Sequence, residues 1–363
     1  MYIYCIIFIL FAVLAVEYEF KGITNIDFVL IILAIFLALF IGLRDIPVSR
    51  DYEAYLNTFS VVMHGESNDG AGILPLFEPG FAFIVMACYK LFDSNQAIAV
   101  MLVYGTISIA LKIFVFRKIS FNPLLVLLLY YSHYFLIQEM TQIRFGMACS
   151  LFFLALYYYL EDKKLITLFF ILLAIFFHNS AIIFPLLFLL RKDKLNKWLF
   201  GGMLVSAVIL GLARVPLISL VVPIVDLNAV SGKLTAYADF AEKGYYEKVR
   251  FFNIIYTINV LLTASILFQF IKNKMEDERL IIFLKINIVS IFIFGLLIDV
   301  SSIATRTSEI FGAVSPLLFA YGVKLFPFGK FNIFIIIIVA ALFLYVNIFY
   351  GKLLNPYDII QFR

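Results

Sequence analysis

Charged residues are scarce in this sequence, and their scarcity excludes a soluble globular protein. Only 14% of the 363 residues are charged, 64% are hydrophobic, and the mean hydropathy is +1.04. Soluble domains carry about 25% charged residues. Apolar runs close to the roughly 20 residues that a bilayer-spanning helix needs recur along the chain, with no polar domain between them. We therefore expect residues 1–363 to form a single integral membrane domain.

Other features are missing as well. Cys5, Cys88 and Cys149 lie in or beside apolar runs without the Cys-x-x-Cys or Cys/His spacing of a metal site, and they are expected to be small apolar side chains. There is no carboxylate cluster of the kind that holds Mg²⁺, and no cofactor is indicated. Residues 1–16 lack a basic flank and a clear cleavage site, so they are expected to be a membrane helix and not a signal peptide.

Apolar segments predict the fold class. Backbone polar groups inside lipid must be satisfied internally, and the alternating pattern of a β-barrel is absent, so the segments are predicted to be helices. The expected fold is an all-α, polytopic transmembrane helix bundle with about 11–14 membrane segments, some of them re-entrant. The predicted segments are 1–16, 28–43, 79–92, 96–116, 122–137, 143–160, 164–177, 179–190, 198–222, 251–271, 280–299, 307–325 and 331–350.

Basic residues fall in short clusters between the apolar segments. With a formal net charge of only +4, this pattern indicates membrane orientation and not a nucleic-acid partner. Cytoplasmic loops carry an excess of Lys and Arg. The opposite loops, including one at about 223–250, are then expected to be extracytoplasmic. The clusters assigned to the cytoplasm are Arg117-Lys118, Lys163-Lys164, Arg191 to Lys194, Lys272 to Arg279, and Lys324 with Lys330.

Two regions do not fit a simple count of crossings. The loop before segments 79–92 and 96–116 is expected outside and the basic cluster after them inside, so these segments cannot both cross. The shorter one, 79–92, is predicted to be re-entrant. Residues 164–190 are interrupted at His178. They form either a hairpin of two short helices with His178 at its outer tip or one long, interrupted helix.

Ionisable residues at the outer edge are candidates for the chemistry. Arg44 and Asp51 lie in a charged stretch directly after an apolar segment, and Glu78 precedes the Pro-Gly pair of LFEPGF. The charged stretch is either a solvated loop with local ion pairs or a rim where an arginine binds an anion and a carboxylate contacts hydroxyls. Glu78 either starts a helix, since proline is favoured in the first turn, or contacts the ligand.

Glu139, Gln142 and Arg144 interrupt two apolar runs in HYFLIQEMTQIRFGMACS, residues 133–150. Charged groups at membrane depth are rare unless they are paired or line a wet cavity. Arg144 therefore binds the ligand, forms a structural ion pair with Glu139, or snorkels to the interface. Gln142 and Glu139 can share one helix face. Gly146 and Ala148 would let another helix or a lipid phosphate approach the backbone closely.

His178 and Arg306 complete the candidates. His178 begins a polar triplet, HNS, within an apolar run, and it is either a satisfied core histidine or a functional one. Arg306 stands in SSIATRTSE. Small hydroxyl residues on both sides suit an anion-binding pocket, but they can equally bond their own helix carbonyls.

Three short motifs occur in order along the chain: EPGF at Glu78, QIRFGMA at Gln142 and FHNSA at Phe177. Together they resemble the EpsG family of bacterial polysaccharide polymerases, and the resemblance covers most of the chain. The family's early motif has an arginine followed by a Gly-x-Asp-x-x-x-Tyr-like element. Arg44, Asp51 and Tyr55 match this motif, but Ser49 stands in place of the glycine.

The resemblance implies a metal-independent glycosyltransferase that crosses the bacterial cytoplasmic (inner) membrane several times. It would transfer a glycan from a polyprenyl pyrophosphate carrier onto a lipid-linked repeat unit at the outer face. Arginine forks bind phosphate oxygens, so Arg144 and Arg306 are assigned to the pyrophosphate, and His178 or Glu139 is the expected catalytic base. The other substrate-binding candidates are Arg44, Asp51, Glu78 and Gln142. Expected partners are the polyprenyl-pyrophosphate-linked oligosaccharide, membrane lipids and other polysaccharide-assembly proteins.

Three other functions remain open. A flippase for the same lipid-linked sugar would need charged residues along a path through the bilayer, whereas the candidates here gather on one predicted side. A ligase of the O-antigen type would share the donor and use another acceptor. A membrane acyltransferase would hold its histidine toward a cytoplasmic acyl donor. The one-sided distribution favours an enzyme over a flippase.

Overall fold

The structure, a computed structural model, describes residues 1–64, 77–215 and 251–360. Within these ranges the chain is helical, with two isolated antiparallel bridges and no strand. Six of the helices described there are long and apolar enough to cross a membrane. The all-α polytopic class is thus confirmed. The predicted loop at 223–250, and the end of the segment predicted at 198–222, lie outside the described residues.

The helices fall close to the predicted apolar segments, although the segment predicted at 307–325 consists of two helices. In chain order the α-helices are α1 (Tyr2–Phe20), α2 (Ile26–Gly42), α3 (Tyr52–His64), α4 (Pro79–Leu91), α5 (Gln96–Ile119), α6 (Pro123–Tyr130), α7 (Ile143–Leu160), α8 (Lys164–Phe177), α9 (Lys197–Ala213), α10 (Ile254–Lys272), α11 (Glu278–Leu296), α12 (Ser301–Gly312), α13 (Ser315–Gly322) and α14 (Asn332–Tyr345). The other helices are the π-helices Tyr131–Glu139 and Val346–Tyr350 and the 3₁₀-helix Asn179–Leu189, together with short 3₁₀ turns.

The chain divides into two compact units. The first contains Met1–Leu187 and Phe328–Arg363, and the second contains Phe188–Pro327. Of the predicted site residues, Arg306 lies in the second unit and all the others lie in the first.

Helix α3 lies in a region that was expected to be an outer loop. Its buried residues are Tyr52, Tyr55, Phe59 and Val62, which recur at three- and four-residue intervals. Such spacing gives a helix with one apolar face. Polar residues on the other faces interrupt the run, so a search for continuous apolar segments misses the helix. The expectation of a loop is wrong over Tyr52–His64.

Helices α7 and α8 form an antiparallel hairpin that brings two candidates together. Residues 161–163 connect the helices, and near this turn Tyr158 stacks on Phe170 with ring centroids 5.5 Å apart. Because the helices are antiparallel, the first turn of α7, with Arg144, lies near the end of α8, which His178 caps.

The chain reverses direction at His178. Its extended backbone, with φ −158° and ψ 123°, ends α8. The His178 ring lies 5.7 Å from the ring of Phe145 in the first turn of α7. Further along the chain, Phe184 stacks on Phe152 at 4.3 Å, deeper along α7. Of the two alternatives for residues 164–190, the structure therefore forms the hairpin of two short helices with His178 at its tip.

Helix α4 packs beside only one half of α5. Phe81, near the start of α4, lies 6.2 Å from Tyr104 in the first half of α5. The 13 residues of α4 extend about 20 Å, less than the roughly 30 Å of a bilayer core. Arg117, at the far end of α5, instead pairs with Asp27 at the start of α2, at 2.7 Å. This arrangement supports a re-entrant segment at 79–92.

Basic residues and candidate site residues lie at opposite ends of the helices in the first unit. Arg117 stands in the last turn of α5, and Lys163 and Lys164 lie at the turn between α7 and α8. Aromatic rings near these ends of α5 and α7 are in contact at 5.9 Å. Arg144 and His178 lie at the other ends of α7 and α8. The distribution of Lys and Arg therefore favours an extracytoplasmic position for Arg144 and His178.

Candidate functional site

Glu78 joins two of the other candidates into one charged cluster. Its Oε2 accepts a hydrogen bond from Nη1 of Arg144 at 2.8 Å, and its Oε1 lies 3.2 Å from Nδ1 of His178. The His178 contact has the distance of an ion pair but not the alignment of a full hydrogen bond. These residues come from the motifs EPGF, QIRFGMA and FHNSA, respectively. The Glu78–Arg144–His178 cluster thus brings together three motifs that are far apart in sequence.

Glycines in two of these motifs permit the packing that forms the cluster. A Cβ added at Gly80 would lie 2.8 Å from the Phe176 ring and 3.0 Å from the Phe176 carbonyl oxygen, at the end of α8. A Cβ added at Gly146 would lie 2.5 Å from the carbonyl oxygen of Gln138. Glycine has no Cβ and so allows both approaches. The close approach that was expected at Gly146 is therefore made by the backbone of the preceding π-helix.

The surroundings keep the Glu78 carboxyl ionised. Burial raises its pKa, but the contact with His178 and the charge of Arg144 outweigh burial and hold the pKa at about 2. The Arg144 guanidinium also lies over two aromatic rings, with its Cζ 5.0 Å from the centroid of Phe81 and 5.8 Å from that of Tyr55. Such cation–π contacts stabilise a guanidinium. A fixed carboxylate therefore lies between an imidazole and an arginine that rests on aromatic rings.

Two members of the cluster keep unfilled hydrogen-bonding groups. Nε of Arg144 is buried without a hydrogen-bond partner, although the Arg144 side chain as a whole is 29% exposed. His178 is 24% exposed, and since its Nδ1 faces Glu78, Nε2 is the ring nitrogen left for a ligand. Buried polar groups in proteins are normally satisfied. The unfilled Nε therefore indicates a place where an acceptor oxygen can bind.

Glu139 belongs to a different charged cluster, which lies in the interior. Its Oε1 accepts hydrogen bonds from Lys112 Nζ at 2.5 Å, Ser108 Oγ at 2.8 Å and Tyr130 Oη at 2.8 Å. Lys112 also donates to the Gly146 carbonyl and to Ser150 Oγ, both at 2.8 Å. Lys112 is completely buried and Glu139 is 2% exposed. We call this group the Lys112–Glu139 cluster.

Lys112 was not a sequence candidate, although it lies within an apolar segment. A lysine at such a position is rare unless it is paired, and that rule could have identified it. Because Lys112 is the partner of Glu139, and Glu78 is the partner of Arg144, the structural ion pair between Arg144 and Glu139 is not formed.

Arg44 is fully buried in the first unit. Its guanidinium donates to the Ile41 carbonyl, contacts Sδ of Met101 at 3.7 Å and lies 5.2 Å from the ring centroid of Tyr52. An antiparallel bridge between Arg44 and Ile359 lays the C-terminal segment across this position. Arg44 is therefore an interior residue, with its Nε buried and without a hydrogen-bond partner, and its contact with substrate stays a prediction.

Asp51 and Gln142 are partly buried in the first unit. Gln142 occupies the N-cap position of α7, two residues before Arg144, and its side chain makes no capping hydrogen bond. Asp51 precedes α3, and its carbonyl accepts a hydrogen bond from the Tyr55 amide at 3.0 Å. A contact of either side chain with substrate stays a prediction.

Arg306 lies on α12 in the second unit, where it is exposed. The nearby Ser308 donates to the carbonyl of Thr305 at 3.0 Å, and its own carbonyl accepts a hydrogen bond from Ser290 at 2.7 Å. Ser308 therefore bonds a carbonyl of its own helix, which is the alternative to an anion-binding role for that hydroxyl. Phosphate binding by Arg306 stays a prediction.

No group of three or more His, Cys, Asp or Glu is placed to hold a metal ion within the described ranges.

A helical chain with several apolar, membrane-length helices and a charged cluster at the ends of α7 and α8 is a multi-pass membrane protein. The model of the EpsG family matches residues 27–359, nearly the whole chain, and the chain belongs to this family. The comparison with curated proteins and the comparison with solved structures find no match. The EpsG family is a polysaccharide polymerase-like family, so the protein has a general role in polysaccharide biosynthesis.

Proposed function

We propose that the protein is a polysaccharide polymerase, a glycosyltransferase of the bacterial cytoplasmic membrane. It transfers a glycan from a polyprenyl pyrophosphate carrier onto a lipid-linked repeat unit at the outer face. The observation that carries this proposal is the Glu78–Arg144–His178 cluster, in which a partly exposed arginine and a partly exposed histidine share one ionised carboxylate. The arginine suits the leaving pyrophosphate, and the histidine suits the attacking hydroxyl.

Arg144 stabilises the leaving group in this proposal. Departure of polyprenyl pyrophosphate develops negative charge on phosphate oxygens, and a guanidinium binds such oxygens with two parallel N–H donors. Nη1 of Arg144 is held by Glu78, whereas its Nε lacks a partner. Nε of the guanidinium therefore offers a donor that a phosphate oxygen can fill, while Glu78 and the ring of Phe81 keep the group in place.

His178 serves as the base. With its Nδ1 toward the Glu78 carboxylate, a proton on Nδ1 leaves the lone pair of Nε2 available for the acceptor hydroxyl. The hydroxyl oxygen forms a bond to the anomeric carbon of the donor as the bond from that carbon to pyrophosphate breaks. The proton moves to Nε2 of His178, and the carrier leaves as polyprenyl pyrophosphate. The ionised Glu78 stabilises the imidazolium that forms.

The other predicted residues take supporting roles in the proposal. Glu139 holds the π-helix before α7 through Lys112, so it acts on the position of Arg144 and not as the base. Gln142 and Asp51 are assigned to the sugar hydroxyls, and Arg306 to a second phosphate contact. Arg44 supports the segment before α3 from the interior.

The one-sided position of the cluster favours this enzyme over a flippase. In the first unit the cluster lies at the helix ends opposite to Arg117 and Lys163, which is the side that the basic residues assign to the exterior. Lipid-linked repeat units are joined where both substrates are exposed together, and a single surface is sufficient for that reaction. A transporter needs polar groups along its whole path.

Reconstitution of the purified chain tests the proposal. Proteoliposomes containing a polyprenyl-pyrophosphate-linked repeat unit should produce polymer, with one polyprenyl pyrophosphate released for each bond formed. Movement of the lipid-linked sugar across the bilayer without bond formation would contradict the proposal in favour of a flippase. Transfer only to a different acceptor would identify a ligase.

A further inference from the structure

A pocket with basic polar groups and apolar walls lies in the second unit. The pocket has a volume of about 540 Å³ and lies between the loop after the 3₁₀-helix, the start of α9 and the first half of α11. Lys194 and Lys285 supply its positive charge, and Arg191, which also lines it, forms an ion pair with Asp193 at 2.7 Å. Leu199, Met203 and Val289 are among its apolar lining residues.

Lys285 is the central charge of this pocket. Its side chain is 3% exposed, and its Nζ donates to the carbonyls of Arg191 and Lys194 and lies 5.4 Å from the ring centroid of Phe200. An ammonium has three N–H donors, so one remains after these two bonds. No carboxylate of the described residues forms an ion pair with Lys285. The nearby carboxylate of Asp193 is bound to Arg191 at 2.7 Å, so a further anion beside Lys285 would offset the cost of burying its charge.

The pocket lies at the depth of lipid headgroups. Trp198, at the start of α9, is 82% exposed, and exposed tryptophans in membrane proteins concentrate at the membrane–water interface. Asn196, two residues earlier, lines the pocket and caps α9. Lys192 in the same loop pairs with Glu278 at the start of α11, at 3.2 Å. The loop from Arg191 to Lys194, which the sequence assigns to the cytoplasm, therefore borders the pocket.

We infer that this pocket binds an anionic phospholipid of the cytoplasmic leaflet. The headgroup phosphate accepts hydrogen bonds from Lys285 and Lys194, and an acyl chain lies along Leu199, Met203 and Val289. Basic pockets at this side of a membrane are suited to anionic headgroups. The apolar walls distinguish a lipid from a free phosphate ion, because a free ion would gain nothing from them. The inference is independent of the proposed reaction, because none of the residues that line this pocket has a role in that reaction.

Native mass spectrometry of the purified chain in detergent tests the site directly. Phosphatidylglycerol should be retained at lower concentration than phosphatidylcholine, which has the same chains without the net charge. Lys194→Gln should weaken retention of phosphatidylglycerol by about fivefold, the effect of one basic residue near an anionic membrane surface, and leave phosphatidylcholine unchanged. Lys197→Gln is the matched control, since this lysine follows the same loop but does not line the pocket.

The outcomes separate the alternatives. Equal retention of the two lipids, or equal losses from Lys194→Gln and Lys197→Gln, would overturn the inference. A thermal shift with inorganic phosphate as large as that with phosphatidylglycerol would indicate a site for a soluble anion instead. Lys285→Met should abolish the preference for phosphatidylglycerol; if that variant does not fold, the comparison of Lys194→Gln with Lys197→Gln decides.

Discussion

The first unit contains two charged clusters that differ in how completely their hydrogen-bonding groups are filled. In the Lys112–Glu139 cluster both residues are almost wholly buried, and Lys112 has four acceptors within 2.9 Å. In the Glu78–Arg144–His178 cluster the arginine and the histidine are partly exposed, and Arg144 Nε has no partner. The donors of Lys112 are taken by acceptors of the protein itself, whereas the second cluster leaves the Nε donor of Arg144 and an imidazole nitrogen of His178.

The difference shows why a charge at membrane depth does not by itself identify a functional residue. A buried ion pair is weak evidence for stability, because desolvation offsets most of its attraction, but it fixes the geometry of the segments that it joins. Lys112 binds the carbonyl of Gly146, and Glu139 ends the π-helix that precedes α7. The Lys112–Glu139 cluster therefore holds the turn of chain that positions Arg144 in the Glu78–Arg144–His178 cluster.

The largest expected effect is on catalysis by the Glu78–Arg144–His178 cluster. His178→Ala should lower the rate of polymer formation by about 10²–10⁴, the usual contribution of a general base. The melting temperature in detergent should stay close to that of the parent, because the side chain is partly exposed. Polymer yield and thermal stability are measured on the same preparations. A parental rate in His178→Ala would assign His178 to packing alone.

The next largest effect is on protein stability, through the Lys112–Glu139 cluster. Lys112→Met leaves Glu139 buried without its cation and should lower the free energy of unfolding by about 3–5 kcal/mol. The double variant Lys112→Met/Glu139→Leu removes both charges and should recover most of that loss. Thermal denaturation of the single and double variants measures the difference. If the double variant is as unstable as the single one, the cluster contributes through more than its charges.

The double variant also distinguishes an effect of the Lys112–Glu139 cluster on protein stability from an effect on the position of Arg144. If the cluster positions Arg144, the recovered protein should still make less polymer than the parent. In an Arg144→Lys background the same double substitution should add little further loss, because the guanidinium to be positioned is already gone. Additive losses in that cycle would show that the two clusters act independently.

The smallest expected effect is on the stability of the protein at acidic pH. The pKa of Glu78 is lowered from its ordinary value of 4.5 to about 2 in the folded protein, so its ionised form stabilises the fold. This contribution is complete above pH 4.5 and is lost as the pH falls toward 2. Glu78→Gln should therefore show a smaller decrease in melting temperature between pH 5 and pH 3 than the parent. Identical decreases would mean that Glu78 does not titrate as the ion pair requires.

The sequence predicted the helices well, since long apolar runs identify them directly. It missed α3, because one apolar face such as that formed by Tyr55 and Phe59 is not a continuous run. It singled out Glu78, Arg144 and His178 one by one but did not predict their contact. That contact depends on the packing of α4 against the end of α8 and on the reversal of the chain at His178, which local patterns do not encode.

The ion-pair partner of Glu139 was also not predicted from the sequence. Arg144, five positions away, was the nearest cation, whereas the observed partner Lys112 lies 27 positions earlier, on a different helix. The burial of Arg44 depends on Ile359 at the other end of the chain. Pairings at such separations follow from tertiary packing and not from residue spacing.

The central claim is that the Arg144 guanidinium binds pyrophosphate, and one pair of conservative substitutions tests it most directly. Arg144→Lys keeps the charge but loses the planar fork of donors, and Arg117→Lys makes the same change in the ion pair with Asp27 at the opposite helix ends. Both proteins should insert and melt as the parent does.

The measurement is polymer length and the amount of lipid-linked single repeat in cells that carry each variant. We expect Arg144→Lys to make much less long polymer and to accumulate single repeats, while Arg117→Lys makes polymer of parental length. Normal polymer from a stable Arg144→Lys protein would contradict the account, because it would reduce Arg144 to a structural partner of Glu78.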